Sequence, residues 1–306
     1  MMEDIIENYR VNTLKLIEEK FTLDIEGGLQ TEIPNLDFYF TSEPTEFNAI
    51  IYEPSLCIIL QGNKAVGFGN ELYSYGPKDY LLSSTHVPAK VKISEVNKEN
   101  PYVSFRIKFN LEDIYEVIKN ISSEKLQKIA KSEKGLFFDE LNEKLYDPVY
   151  RLIKLLNQSK EEIEYLYPLV LKEILFILIN DKSGYFLNKF AMEGTVSNKI
   201  VHVISEIKDN FNEKLNIKEL AKMIDMSESS LYQNFKTITS MSPIQFQKKI
   251  RLEEAKLMLL NQNIEASEVA YAVGYESPSQ FSREYSRMFG MSPKAHAEFL
   301  REKSNT

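Results

Sequence analysis

The sequence predicts an α+β chain of two domains, a small β-barrel or sandwich with flanking helices followed by an all-α domain. Three observations lead there. Eight short apolar runs, at 36–40, 47–52, 56–60, 64–68, 71–75, 79–83, 90–96 and 102–109, follow one another with turn residues between them. Beyond Phe109 the apolar residues recur at helical spacing instead. Finally, a stretch near the C-terminus occurs twice, roughly fifty residues apart, and repetition of a whole supersecondary unit is hard to obtain by chance.

Taken in order, residues 4–21 form a candidate amphipathic helix with Ile5, Ile6, Tyr9, Leu14, Ile17 and Phe21 available for burial, and Gly27-Gly28 breaks it. Gln61-Gly62-Asn63, Gly69-Asn70, Gly76-Pro77 and Asn100-Pro101 supply the turns between the eight strands. Helices are expected over 111–129 and 140–158, with Asp147-Pro148 as a cap followed by a first-turn proline. In 161–180 a stripe of Ile163, Leu166, Val170, Ile174 and Ile177 is widened by Leu171, Leu175 and Leu178. That helix is read either as buried against the barrel or as a dimer-forming surface, and its width allows both. Residues 191–198 are the expected hinge between a domain at 1–190 and one at 199–306, which opens with Ile200, Val203, Ile204, Ile207 and Phe211.

Within the second domain, helix-turn-helix patterns are expected at about 217–237 and 266–289. In the later copy Val269, Ala270 and Val273 face inward, Gly274 permits the turn, and Ser277-Pro278-Ser279-Gln280 starts a helix. Phe281, Tyr285, Met288 and Phe289 then recur at core spacing. In the earlier copy Ser227, Leu231 and Phe235 align with Ser277, Phe281 and Tyr285, while Ala221 matches Ala270, so the second turn holds one extra residue. The outward faces carry Glu228, Ser229, Ser230, Gln233, Asn234, Lys236 and Thr237 in one copy, and Ser279, Gln280, Ser282, Arg283 and Arg287 in the other. Amides pair with adenine, Arg with guanine, and Lys with phosphate. These residues are the candidate contacts to double-stranded DNA, and on their own each is also compatible with a solvated helix face. A stiff helix over 243–263, with Phe246, Ile250, Leu257 and Leu260 as its apolar residues, would join two heads that enter major grooves about 34 Å apart.

This tandem unit resembles the DNA-binding domain of AraC-type transcription regulators. The match is carried by Glu219-Leu220-Ala221, Met226-Ser227, Leu231, Phe235, Ser242-Pro243, Arg251, Glu254-Ala255, Val273-Gly274-Tyr275, Phe281-Ser282-Arg283, Phe289-Gly290 and Ser292-Pro293. Tyr52-Glu53-Pro54-Ser55-Leu56, Leu60-Gln61-Gly62, Tyr75-Gly76-Pro77 and Glu99-Asn100-Pro101-Tyr102 resemble the N-terminal domain of one AraC-type subgroup. That likeness implies a cupin-like β-barrel that dimerises or senses, and a homodimer. The family's usual aromatic-arginine ending after Ser292-Pro293 is replaced by Lys294-Ala295-His296-Ala297, so no role is transferred to the last helix.

Composition excludes several classes. Cupin-type metal enzymes need two or three histidines with a carboxylate; the three histidines here, His86, His202 and His296, are scattered, so no metal, cofactor or enzymatic activity is expected. Cys57 is the single cysteine, which rules out an internal disulfide and fits a reducing cytoplasm. MMEDIIENYR is no secretory signal, and no apolar run reaches the ~20 residues of a membrane span. The net charge is −8, and from Ser197 onward 15 basic and 14 acidic residues nearly cancel. The DNA expectation therefore rests on the repeat. A small-molecule effector would be lined by Tyr52, Phe68, Tyr73, Tyr80, His86 and Phe105, although alternation does not say which strand face is interior. The competing reading is a constitutive DNA-binding module whose barrel only dimerises. A filled barrel would favour that reading, and a cavity of roughly 300 Å³ or more would favour sensing.

Overall fold

The computed structural model describes residues 2–21, 26–119, 134–261 and 264–304. The chain divides into two compact units, Met1–Asn198 and Lys199–Thr306.

The first unit opens with α1 (Met2–Lys20), in which Leu16 and Ile17 are buried while Ile5 stays exposed. Ten strands follow: β1 (Gly27–Gln30), β2 (Leu36–Thr41), β3 (Asn48–Tyr52), β4 (Ser55–Gln61), β5 (Asn63–Phe68), β6 (Glu71–Tyr75), β7 (Asp79–Ser83), β8 (Val87–Ser94), β9 (Tyr102–Lys108) and, after a helix, β10 (Leu136–Glu140). They build two antiparallel sheets, ordered β1-β2-β9-β4-β7-β10 and β3-β8-β5-β6. The expected cupin-like arrangement is present as two facing sheets, and among the described residues no ladder joins them into a closed barrel. All eight expected strands form. β1 and β10 are additional, and each adds an edge to the larger sheet.

Strand alternation sorts the side chains into two cores. Cys57, Ile59, Leu81 and Tyr102 of the larger sheet meet Val66, Phe68, Tyr75, Val87, Val91 and Ile93 of the smaller one. Residues of opposite parity in the larger sheet, such as Phe38, Ile58 and Phe105, are buried on its other side, where Phe21 packs 5.7 Å from Phe38. The helices of this unit are α2 (Leu111–Ile118), α3 (Glu143–Lys154), α4 (Lys160–Asn180) and α5 (Gly184–Ala191). The expectation of a helix over 111–129 holds to Ile118, and its part from 120 lies outside the described residues.

Two local expectations are corrected. Asp147 does not cap α3: Asn142 does, accepting from the Leu145 N–H, and Pro148 sits inside the helix. Asp147 instead accepts from the Tyr9 hydroxyl at 3.0 Å and from Arg151 at 2.9 Å. On α4, Ile163, Val170 and Ile174 belong to the unit's own core, Ile177 is half-buried, and only Leu166 of the expected dimer stripe is exposed. The apolar residues that α4 leaves open lie one position away, at Tyr165 (74% exposed), Leu169 (55%) and Phe176 (51%).

The second unit is helical. α6 (Val196–Asp209) begins inside the expected hinge, and the division between units falls within it. α7 (Ile217–Met223), α8 (Glu228–Thr239), α9 (Pro243–Asn261), α10 (Ala266–Ala272), α11 (Pro278–Phe289) and α12 (Pro293–Ser304) follow. On α9, Phe246, Ile250, Leu252, Ala255 and Leu259 are buried. Leu257, expected inside, is 51% exposed, because the stripe shifts by a residue over a helix of five turns.

Candidate nucleic-acid interface

The two repeats are built by the same local rules. In the first, the Met226 N–H donates to the Ala221 carbonyl at 3.0 Å; in the second, Tyr275 donates to Ala270 at 2.9 Å. Each turn contains one left-handed residue, Asp225 at φ 51° and Gly274 at φ 85°. Ser227 caps α8 by accepting from the Ser230 N–H, and Ser277 caps α11 by accepting from Gln280, with Pro278 in the first turn. Both helices end on a left-handed residue, Ser240 and Gly290. Glu276 is the residue by which the second turn is longer.

Burial fixes how each second helix is rotated. Leu231, Phe235 and Ile238 anchor α8, with Phe235 edge-on to Phe246 at 5.4 Å. Phe281 and Tyr285 anchor α11, in contact with Tyr275 and Phe289. Burying each such aromatic stabilises the unit by ~1.5–3 kcal/mol, enough to set one face inward. The opposite face of α8 exposes Glu228, Ser229, Gln233 and Lys236. Ser230, Asn234 and Thr237 are half-buried and bonded to their own helix: the Asn234 amide donates to the Ser230 carbonyl at 2.8 Å and Thr237 to Gln233 at 2.9 Å. On α11, Ser279, Gln280, Arg283 and Arg287 are exposed and Ser282 is half-buried.

Three residues in this unit have roles that the contact list above did not contain. Arg251 of α9 donates to the carbonyls of Phe211 (2.7 Å), Gly274 (2.7 Å) and Glu213 (2.8 Å), clamping the turn of the second motif. Lys248 pairs with Glu284 at 2.9 Å, and Glu284 also accepts from Tyr275 and Gln280. Burial works against the Glu284 carboxylate, but these three donors outweigh it and hold its pKa below the ordinary range. A polar residue facing a carbonyl-rich turn gives no periodic signal, so sequence pattern alone does not reveal such a clamp.

The first unit contains a cavity of about 420 Å³ between its sheets. Of the six residues expected around an effector, Tyr52 and Phe105 are among its lining residues, although the Phe105 ring packs on Phe38 on the far side of the larger sheet. Phe68 is packed in the inter-sheet core, Tyr73 stacks on Phe138 outside the cavity, and Tyr80 is buried on the other side of the larger sheet. His86 lies in the connection between β7 and β8. Parity accounts for Tyr80 and the Phe105 ring, which face away from the cavity, whereas Phe68 and Tyr73 share the inner face without lining it. Cys57 and Lys64 also line the cavity, and Lys64 could have been found from its spacing to Val66 and Phe68.

Comparison with known proteins agrees with both halves. Residues 32–186 match the AraC-type transcriptional regulator N-terminus, and residues 220–298 match a helix-turn-helix domain. The chain belongs to the AraC-type transcriptional regulators. This AraC-type chain is 23% identical to the lactose operon transcription activator of Staphylococcus xylosus, over 87% of its own length and 88% of the relative's. It is 34% identical to the raffinose operon regulatory protein RafR of Pediococcus pentosaceus, over 32% and 35% of the two lengths. Among solved structures it resembles Vibrio cholerae ToxT bound to an unsaturated fatty acid, with TM-score 0.60 and 12% identity over 86% of this chain and 94% of that one. The regulator is thus a DNA-binding protein with the two-unit fold expected from its sequence.

Proposed function

We propose that this AraC-type regulator is effector-responsive: a small molecule in the two-sheet unit alters how the tandem motifs occupy DNA. The observation that carries the reading is the 420 Å³ cavity between the sheets. A unit that only dimerised would have no use for a void of this size, because empty space between sheets forfeits packing contacts. The solved ToxT structures hold an unsaturated fatty acid in one case and a naphthalenyl butenoic acid in another. By likeness of fold they support ligand capture here.

The reading heads are α8 and α11, with Ser229, Gln233 and Lys236 on one and Ser279, Gln280, Arg283 and Arg287 on the other. A second copy of the chain covers Tyr165, Leu169 and Phe176 of α4, an apolar face that water solvates poorly. The test of sensing is operator affinity, measured with purified full-length protein at ~150 mM salt across a library of small molecules. At least one compound is expected to shift affinity severalfold, through its differential affinity for the two states of the protein. Unchanged affinity across the library would overturn sensing and favour the constitutive module.

A further inference from the structure

The inner faces of the two sheets carry, among their apolar residues, the paired Asp37 and Arg106, and β5 adds a further charge. Lys64 shares with Val66 and Phe68 the strand face that alternation turns toward the opposite sheet. In register it stands between Tyr75 of β6 and Ile93 of β8, both buried. Its ammonium lies 5.2 Å from the ring centre of Tyr102 and 6.0 Å from that of Tyr39, and the side chain lines the cavity. Lys64 is half-buried, and a lysine charge taken this far from water usually has a partner that compensates it.

Beyond those two rings, no carboxylate among the described residues pairs with it. Among the described residues Asp37 is the one carboxylate lining the cavity, and it is already held by Arg106 at 2.8 Å and Lys108 at 3.1 Å. Beside the ammonium lie the buried hydroxyls of Tyr52 and Tyr102, the first close to Tyr75 and the second to Lys64 itself. Burial holds the Tyr52 phenol protonated, so it is a donor. A cation and two phenol hydroxyls thus meet in a cavity whose other walls include Ile50, Ile51 and Val91.

We propose that Lys64 anchors the anionic head of the cavity's ligand, and that this ligand is an organic monoanion, a carboxylate carried on an apolar frame. The assignment rests on the sensing reading and narrows it to a chemical class. One uncompensated positive charge matches a single negative one, and aliphatic walls match an apolar body. A neutral polyol would leave the ammonium uncompensated and would need a polar partner for each of its own hydroxyls.

The test is isothermal titration of the full-length protein with 4-phenylbutyrate and with decanoate, each against the alcohol of the same carbon frame. The acids are expected to bind at least ~10-fold more tightly than the alcohols, the scale of a desolvated charge-assisted hydrogen bond. In Lys64→Met, which keeps the side chain's length, that preference should fall to within about twofold, while Lys64→Arg keeps a preference for the acids. Without ligand, Lys64→Met should melt at or above the wild-type temperature, because a lone enclosed charge is a cost borne for function. Equal binding of acid and alcohol by the wild type, no saturable binding of either acid, or an acid preference that survives Lys64→Met would each overturn the anchor. If the acids bind through Lys64 and operator affinity stays constant, the anchor stands and the sensing reading falls.

Discussion

Arg283 and Lys236 stand on the exposed faces of α11 and α8, and their chemistry separates two kinds of contact. A guanidinium can grip guanine with two parallel hydrogen bonds, whereas an ammonium at the rim meets phosphate as a point charge. Arg283→Ala should therefore cost ~1–3 kcal/mol on the specific operator and much less on unrelated duplex, measured by competition binding. Lys236→Ala should weaken both alike and lower the salt dependence by about one counter-ion. Equal losses on both DNAs for Arg283→Ala would reassign that residue to the backbone. The helical period made the outward face legible, since Leu231, Phe235, Phe281 and Tyr285 all turned inward as their spacing requires. It does not report rotamers. Ser230, Asn234 and Thr237 lie toward the outward side, yet Asn234 and Thr237 bond back to carbonyls of α8.

At the scale of the element, the two turns perform one task with unequal tolerance. Gly274 is left-handed, and a Cβ placed on it would lie 2.2 Å from the Asn212 carbonyl oxygen and 2.9 Å from the Arg251 guanidinium carbon. Asp225 holds the corresponding position with a side chain, at φ 51°. Gly274→Ala should thus destabilise the second unit by ~3 kcal/mol or more in chemical denaturation, combining backbone strain with a steric clash. Asp225→Gly should change it by less than ~1 kcal/mol, since relief of strain offsets the added chain entropy. A Gly274→Ala protein that unfolds at the wild-type midpoint would refute the close-approach account. The glycine was visible in the sequence, but its contacts with Asn212 and Arg251 were not, because those residues come from distant parts of the chain. The same limit applies to β1 and β10. Each is only four or five residues long, and each is defined by pairing to a sheet edge, not by a pattern of its own.

Over the whole molecule, charge and apolar surface are distributed by function. The first 196 residues carry a net charge of −9, which disfavours any approach of that half to DNA, while the remainder is close to neutral. Affinity must then come from placed contacts and from valency. The proposed pairing of two chains through α4 would supply the valency, so Tyr165→Asp combined with Phe176→Asp should shift sedimentation from dimer to monomer. Both positions are exposed, so thermal stability should stay within a degree or two of the wild type. Wild-type protein that sediments as a monomer at micromolar concentration would remove the dimer from the mechanism. On α4, Ile163, Val170 and Ile174 of the expected stripe are buried, as one of its two readings has it, and the exposed apolar residues lie one step away, because a helix that is apolar nearly all round has no sequence signal for which stripe its own core takes.

The extra residue Glu276 and the unlike outer faces of α8 and α11 have a consequence for the DNA. A two-fold symmetric reader recognises a palindrome and cannot tell one direction along the duplex from the other. Two different heads in series on one chain break that equivalence. If α8 and α11 both read DNA as proposed, the stretch bound by one chain has a front and a back, so reversing it relative to a gene would present a different object to whatever is bound next to it.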